Sequence, residues 1–204
     1  MSTSLSVSQI EPDMKYLMLA ASRDSTRTSI RTVHVDAKGN AVTTDGHRLH
    51  IVRGAAFPKE SLDVDTAELL GEVIRKTSAQ VLYIEGREYR CAGMGHEVTI
   101  KASPAEDHFP KYERIIPKWA ETAEAPATDL RRSVLTPQET KVCVFTNSKG
   151  ETWHLSPEYV KDALTGAGKG TVKVHFSADD MGPIGFSFEV EGRERFALIM
   201  PLRK

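Results

Sequence analysis

The sequence predicts an α+β protein with two domains, each an antiparallel sheet with helices packed on one face. Three observations lead to this fold class. In the first half of the chain, segments with helical and strand-like apolar spacing follow in the order helix, strands, helix, strands. Short strand-like segments and one helix fill the second half, and a proline-rich stretch at 103–128 separates the halves. A chain of 204 residues accommodates two such domains.

The N-terminal half begins with a predicted amphipathic helix at about 12–24. Pro12 stands at a favourable first helical position, and the apolar residues that follow it recur at helical spacing. Three strands come next, at 32–35, 41–44 and 47–53. Turns that contain glycine separate these strands, which is typical of antiparallel hairpins.

A second helix is predicted near residue 65. Asp65 and Glu68 match a capping box, and apolar residues follow them on one helical face. Glycine turns then separate three further strands, at 80–85, 89–92 and 97–102. This succession favours an antiparallel sheet that carries its helices on one face.

Prolines mark the boundary between the halves. Four of them lie among charged and small residues, at Pro104, Pro110, Pro117 and Pro126. We therefore predict an interdomain linker at 103–128. Ser156 and Pro157 then begin a short helix through Leu164. The strands of the second half are predicted at 141–146, 152–155, 171–177, 184–190 and 195–201.

The composition is typical of a globular protein that works in water. Hydrophobic residues make up 40% of the chain and charged residues 27%, and no apolar run is long enough to cross a bilayer. Residues 1–16 lack the basic and apolar regions of a signal peptide. Cys91 and Cys143 form no CxxC pair and lie in strand-like contexts, which indicates reduced, buried thiols. We expect a soluble cytoplasmic protein without membrane contact.

Searches for catalytic and cofactor motifs lead to no such site. The phrase GAGKGT at 166–171 looks like part of a phosphate-binding loop, but Ala163 stands where the first glycine is required. A predicted helix also precedes the phrase and a strand follows it, so a helix end with a flexible turn is the preferred interpretation. The 7 histidines include no HExxH motif and no cluster with zinc spacing. No GxSxG motif exposes a serine nucleophile, and we expect no enzyme activity, cofactor or metal.

Three phrases far apart in the chain carry the strongest functional signal. They are TTDGHRLHIVR at 43–53, FPKYERIIP at 109–117 and FALIMPLRK at 196–204. Together they resemble the bacterial sliding clamp, the DNA polymerase III β subunit, in which such a turn, linker and tail occur in this order. Their spacing resembles the second and third of that family's three units, with the first unit absent.

The resemblance implies two clamp-like domains, at 1–117 and 118–204. A clamp unit opens with an amphipathic helix and a hairpin, and 128–150 leaves no room for both. We therefore expect the second domain to be abbreviated by the loss of a helix.

In clamps the three phrases converge on a groove between adjacent units that takes short extended peptides. By resemblance, the groove here would bind peptides of a polymerase, clamp loader or repair protein through two or three apolar anchors. Its residues would be Thr44, Gly46, His47, Arg48, Leu49, Pro110, Ile115, Leu198, Met200, Pro201, Leu202 and Arg203. Each element of this site taken alone has a plainer interpretation, because Asp-Gly is a common hairpin turn and leucines fill cores.

The resemblance also implies contact with double-stranded DNA, through helices that line a ring. The candidate residues are Lys15, Arg23, Arg27, Arg75, Lys76 and Lys161. With 27 basic and 28 acidic residues the net charge is −1, so such contact needs a locally basic face. Acidic neighbours such as Asp24, Glu72 and Asp162 offset these positive charges. An ordinary solvated face is therefore the alternative interpretation.

Two functional hypotheses follow from the resemblance. In the first, the chain is a processivity factor whose six-unit ring needs three copies, since two units per chain must close by rotation. In the second, the chain is a peptide-binding module, a decoy or adaptor that keeps the groove and does not encircle DNA. Neither hypothesis assigns an enzyme activity to the chain.

Overall fold

The computed structural model of the protein describes residues 3–55, 57–58, 60–93, 95–103, 108–135, 142–179 and 181–202. The chain forms two compact units. The first unit comprises Met1–Asp45 and Ile51–Pro110, and the second comprises Gly46–His50 and Lys111–Lys204. Helices and antiparallel sheets occur in both units, which confirms the predicted α+β class.

The first unit holds two helices and two antiparallel sheets among its described residues. In chain order its elements are β1 (Thr3–Ser6), α1 (Val7–Met18), β2 (Thr32–Val35), β3 (Ala41–Thr44), β4 (Arg48–Val52), β5 (Leu62–Asp63), α2 (Val64–Thr77), β6 (Val81–Glu85), β7 (Glu88–Gly93) and β8 (His96–Lys101). One sheet has the strand order β1-β6-β7-β8. The other strands of the unit are ordered β5-β2-β3-β4. The first three residues of β4 cluster with the second unit.

The core of the first unit lies between its helices and the sheet β1-β6-β7-β8. Apolar residues at helical spacing turn inward from both helices, among them Ile10 and Leu17 of α1 and Leu70 of α2. From the sheet, Leu82 of β6 and its register partner Cys91 of β7 are both fully buried.

The second unit holds two helices, a hairpin and four antiparallel sheet strands in the part of it that the structure describes. Its remaining elements are β9 (Trp119–Pro126), α3 (Ala127–Leu135), β10 (Cys143–Thr146), β11 (Thr152–Leu155), α4 (Pro157–Ala163), β12 (Thr171–Ser177), β13 (Ile184–Val190) and β14 (Arg193–Ile199). The sheet order is β14-β13-β12-β9, and β10 pairs with β11. Gly185 of β13 lies under Trp119, whose ring would meet an added Cβ at 2.9 Å.

Five predicted strands are confirmed with both ends correct. They are β2, β3, β11, β12 and β13. The remaining predicted strands are present with ends that differ by one or two residues, and Lys141, the predicted start of β10, lies outside the described residues.

The prediction for the first helix was wrong in position. Helix α1 begins five residues before the predicted start and ends at Met18, with Pro12 inside it. The reason is that β1 ends at Ser6, which occupies the N-cap position with an extended backbone, and Val7 and Ile10 extend the buried stripe backwards. Strand β1 itself was not predicted.

The predicted capping box of the second helix was also wrong. The N-cap is Asp63, whose Oδ1 accepts from the Thr66 backbone N–H at 2.9 Å. Asp65 lies in the first turn of α2 and forms an ion pair with Arg31 at 2.5 Å. An acidic residue in a first helical turn is favourable whether or not it is the cap, so the sequence pattern did not distinguish the two carboxylates.

The predicted linker at 103–128 contains a strand, which is a correction. Strand β9 pairs with β12 along its length, with Lys173 opposite Glu124 and His175 opposite Thr122. Its residues alternate between half-buried and exposed. The inward positions after Trp119 are largely small alanines, too weakly apolar to signal a strand before the pairing with β12 is known.

The expected loss of a helix from the second unit was wrong. Helix α3 ends at Leu135, and the β10–β11 hairpin follows from Cys143. Among the described residues the second unit keeps two helices, and they are shorter than those of the first unit: α3 and α4 have 9 and 7 residues, whereas α1 and α2 have 12 and 14.

Candidate functional site

The C-terminal tail after β14 presents apolar side chains on a fixed backbone. The Met200 N–H donates to the His47 carbonyl at 2.9 Å, and the Leu202 N–H donates to the His154 carbonyl at 2.8 Å. Met200 and Leu202 nevertheless remain 44% and 40% exposed. The tail is therefore held by its main chain while both side chains stay available for contact.

The segment Gly46–His50 lies in the second unit, although the residues on both sides of it belong to the first. The turn that starts it uses Gly46 at φ 91°, a conformation that glycine adopts without strain. His47 is exposed, and its carbonyl is the acceptor for Met200. The second unit thus brings Gly46–His50 and the tail together.

Arg48 is engaged within the second unit. Its Nη1 lies 2.6 Å from Asp162 Oδ2, and its Cζ lies 4.3 Å from the centre of the Tyr159 ring. The Arg48 and Asp162 side chains are only 11% and 16% exposed. Arg48 was predicted as a groove residue, and its guanidinium is bound to α4.

The remaining predicted groove residues differ in exposure and in the unit to which they belong. Leu49 and Leu198 are 1% and 2% exposed and therefore support the surface from the core, whereas Ile115 is 52% exposed in the 3₁₀ turn Tyr112–Ile115. Pro201 is half-buried in the tail. Buried Thr44 and exposed Pro110 belong to the first unit, and Arg203 lies outside the described residues.

Sequence reasoning missed Tyr159 and His154, and it named Asp162 only as an acidic neighbour of the candidate DNA-facing residues. A helix was predicted at this position from Ser156 and Pro157, and residues three apart on a helix share a face, which applies to Tyr159 and Asp162. Nothing in the sequence indicated their partner, because Arg48 is 114 residues away from Asp162.

Three of the five candidate DNA-facing residues of the first unit line a groove between α1 and α2. Basic and acidic side chains line this groove in equal number: Lys15, Arg23 and Arg75 with Glu11, Glu68 and Glu72. Arg23 pairs with Glu68 at 2.5 Å, and Lys76 pairs with Glu72 at 2.6 Å. Arg27 donates to the Asp45 carbonyl at 2.8 Å. The groove is therefore not a strongly basic surface.

In the second unit, Lys161 is exposed on α4, and α3 adds Arg131 and Arg132, which the sequence did not single out. Arg131 donates to the carbonyls of Leu164 and Gly168 at 2.8 and 2.7 Å. It thus fixes the glycine loop after α4. That loop connects a helix to a strand, which confirms the interpretation of the GAGKGT phrase as a helix end.

Other chemical groups offer no second site in the described residues. Cys91 and Cys143 are free and buried, as predicted, and burial raises the pKa of both thiols. In the described ranges no three His, Cys, Asp or Glu side chains are grouped as metal ligands would be. No helix within those ranges combines the length and apolar character needed to cross a bilayer.

Comparison with known proteins found similarity only at the level of structure, since no protein-family model and no curated protein matches the sequence. The DNA polymerase III β subunit from Thermotoga maritima matches 100% of this chain with a TM-score of 0.73 and 17% identity. That of Borrelia burgdorferi matches 100% with a TM-score of 0.74 and 15% identity, and the sliding clamp of Caulobacter crescentus matches 100% with 0.70 and 18%. The chain has the sliding-clamp fold.

The sliding-clamp fold confirms the resemblance found in the three sequence phrases. Identities of 15–18% establish the fold alone. This chain spans 65%, 63% and 65% of the lengths of those three clamps.

Proposed function

We propose that this protein is a sliding-clamp-like processivity factor, without enzyme activity, that tethers polymerase or repair proteins to DNA through a peptide-binding groove. Its predicted domains are 1–117 and 118–204, and its predicted location is the cytoplasm. The observation that carries the proposal is the tail, where Met200 and Leu202 are exposed on a hydrogen-bonded backbone. We call Gly46–His50 together with residues 198–202 the tail surface.

The tail surface suits an extended peptide with apolar anchors. Covering exposed apolar side chains with a partner lowers the free energy of the complex. Because the backbone that carries them is already ordered, little main-chain conformational entropy is lost on binding. Methionine is flexible and polarizable, so Met200 can adapt to different partner side chains. A short peptide of a polymerase, clamp loader or repair protein is the predicted ligand. Thr44, Pro110 and Ile115 remain predicted members of the groove.

The test is binding of a fluorescently labelled clamp-binding peptide, measured by anisotropy. The double variant Met200→Ala/Leu202→Ala is expected to weaken binding at least about tenfold, because each change removes an apolar anchor. Both side chains are about half exposed, so the thermal unfolding temperature is expected to change little.

A matched control removes the same residue types elsewhere. Leu69 and Met181 are 47% and 49% exposed, and Leu69→Ala/Met181→Ala is expected to bind the peptide like the wild type. Equal affinity of both double variants and the wild type would show that the tail surface is not the peptide site.

A second candidate function is a peptide-binding module that does not encircle DNA. The balanced charge of the groove between α1 and α2 favours it, because carboxylates that pair with Arg23 and Lys76 weaken attraction to phosphate. The presence of α3 favours the ring, since the second unit keeps two helices. Both candidates share the tail surface, so they differ in DNA contact and in oligomeric state.

A further inference from the structure

Arg48 and Asp162 form an ion pair within the second unit. Peptide binding was proposed without reference to this pair. Both side chains are largely buried, and the separation of Nη1 and Oδ2 is 2.6 Å. Tyr159, one helical turn before Asp162, places its ring 4.3 Å from the guanidinium carbon. The guanidinium is thus held by a charge and by an aromatic face of the same helix, α4.

A largely buried charge pair holds its partners firmly, because breaking it leaves an uncompensated charge away from water. Arg48 directly follows His47, whose carbonyl accepts the hydrogen bond of the Met200 N–H at 2.9 Å. A side chain fixed at position 48 therefore restricts the peptide plane between residues 47 and 48, which carries that carbonyl. The position of Met200 depends in turn on this acceptor.

We propose that Asp162 is a positioning residue of the tail surface. It fixes Arg48, and the fixed Arg48 keeps the His47 carbonyl aligned with the Met200 N–H. Arg48 acts on a bound peptide through the backbone of Gly46–His50 and not by offering its charge to the peptide. The effect on peptide affinity rests on the proposed function, whereas the effect on the Met200 hydrogen bond does not.

The test uses the full chain with Asp162→Asn, which keeps the shape of the side chain and removes its charge. The labelled peptide is expected to bind about tenfold more weakly. Hydrogen exchange of the Met200 amide, measured by NMR without peptide, is expected to accelerate, while core amides such as that of Phe186 keep their protection. Asp162→Glu retains the charge and is expected to restore most of the peptide affinity and most of the protection of the Met200 amide.

A second variant and a matched control keep the proposal open to contradiction. Arg48→Lys keeps a positive charge but loses the planar group that lies over Tyr159, so it is expected to weaken binding and accelerate Met200 exchange even if Asp162→Asn folds poorly. Asp129→Asn breaks a pair with Arg132 in which the side chains are 60% and 80% exposed, and it is expected to change neither quantity.

Three outcomes overturn the proposal or separate it from the proposed function. Wild-type affinity and wild-type Met200 exchange in Asp162→Asn would overturn it. Tighter peptide binding in Asp162→Asn would also overturn it, because Asp162 would then be withholding a guanidinium that the peptide needs. If the wild type binds no peptide, the proposed function fails, and faster Met200 exchange in the variant would still support the positioning role.

Discussion

At the scale of single residues, His175 of β12 is held between two hydroxyl groups in the second unit. Its Nδ1 lies 3.0 Å from Thr122 Oγ1, and its Nε2 lies 2.8 Å from Ser187 Oγ. The rings of Trp119 and Phe196 lie 5.3 and 6.2 Å away. These neighbours fit a neutral imidazole, because they supply hydrogen bonds and exclude water without supplying a compensating charge at contact distance.

The pKa of His175 is lowered from its ordinary value of 6.5, chiefly by burial. Glu194 opposes this shift and Lys173 adds to it. Because the folded state binds the proton less readily than the unfolded state, the contribution of His175 to stability is complete above pH 6.5. It is lost as the pH falls below that value, until the folded-state pKa is passed.

We therefore expect His175→Gln to lose less stability than the wild type when the pH is lowered from 7.5 to 5. The glutamine cannot acquire a charge in this range, so the unfolded state gains no proton at this position. The measurement is the free energy of unfolding in urea at both pH values. His96→Gln, which removes an exposed histidine from β8, is the control for the loss of a histidine. If the free energy of unfolding of His175→Gln depended on pH as that of the wild type does, the lowered pKa of His175 in the folded state would be contradicted.

At the scale of elements, α2 of the first unit shows how helix ends and glycines fix packing. Asp63 caps its N-terminus, and Ser78 ends it in the left-handed conformation at φ 47°. Gly93 of β7 lies against this end, since a Cβ there would overlap the Thr77 carbonyl oxygen. Gly71 lies inside the helix, where a Cβ would meet only the flexible Met14 side chain at 3.4 Å.

The two glycines predict opposite effects of the same substitution. Gly93→Ala is expected to destabilise the protein by about 1–3 kcal/mol, because the added carbon overlaps backbone atoms that cannot move freely. Gly71→Ala is expected to stabilise it by about 0.5–1 kcal/mol, because alanine loses less conformational entropy in a helix. Urea unfolding of the two variants measures both values. A stable Gly93→Ala would contradict the close approach of β7 to the end of α2.

At the scale of the whole molecule, the ring and the module differ in mass and in DNA binding. Two clamp-like units per chain require three copies for a six-unit ring. A ring that surrounds DNA contacts phosphates without sequence preference, and such contact weakens steeply with salt. The module hypothesis predicts a monomer and no salt-sensitive association with DNA.

Light scattering after size exclusion, over a concentration series, is expected to give a trimer if the ring forms. Duplex binding is then expected to fall steeply between about 50 and 200 mM salt. Lys15→Gln/Arg75→Gln removes two candidate phosphate contacts and is expected to lower the salt slope without changing the mass. A monomer at every concentration would instead favour the module.

Several parts of this protein were determined by the sequence alone. Alternating apolar residues and glycine turns located β2, β3, β11, β12 and β13, because both signals act over a few neighbouring residues. The three separated phrases indicated the sliding-clamp fold, and two of them meet in the second unit. The role of Met200 and Leu202 as peptide anchors stays a prediction.

Other features were decided only by the tertiary structure. Strand β9 became recognisable only through its pairing with β12, since its inward alanines carry a weak apolar signal. The pairing of Arg48 with Asp162 likewise became visible only in the folded chain. In both cases the stabilising partner lies tens of residues away or more. Local patterns report what a segment can form, and the distant partner decides which of those possibilities has the lowest free energy.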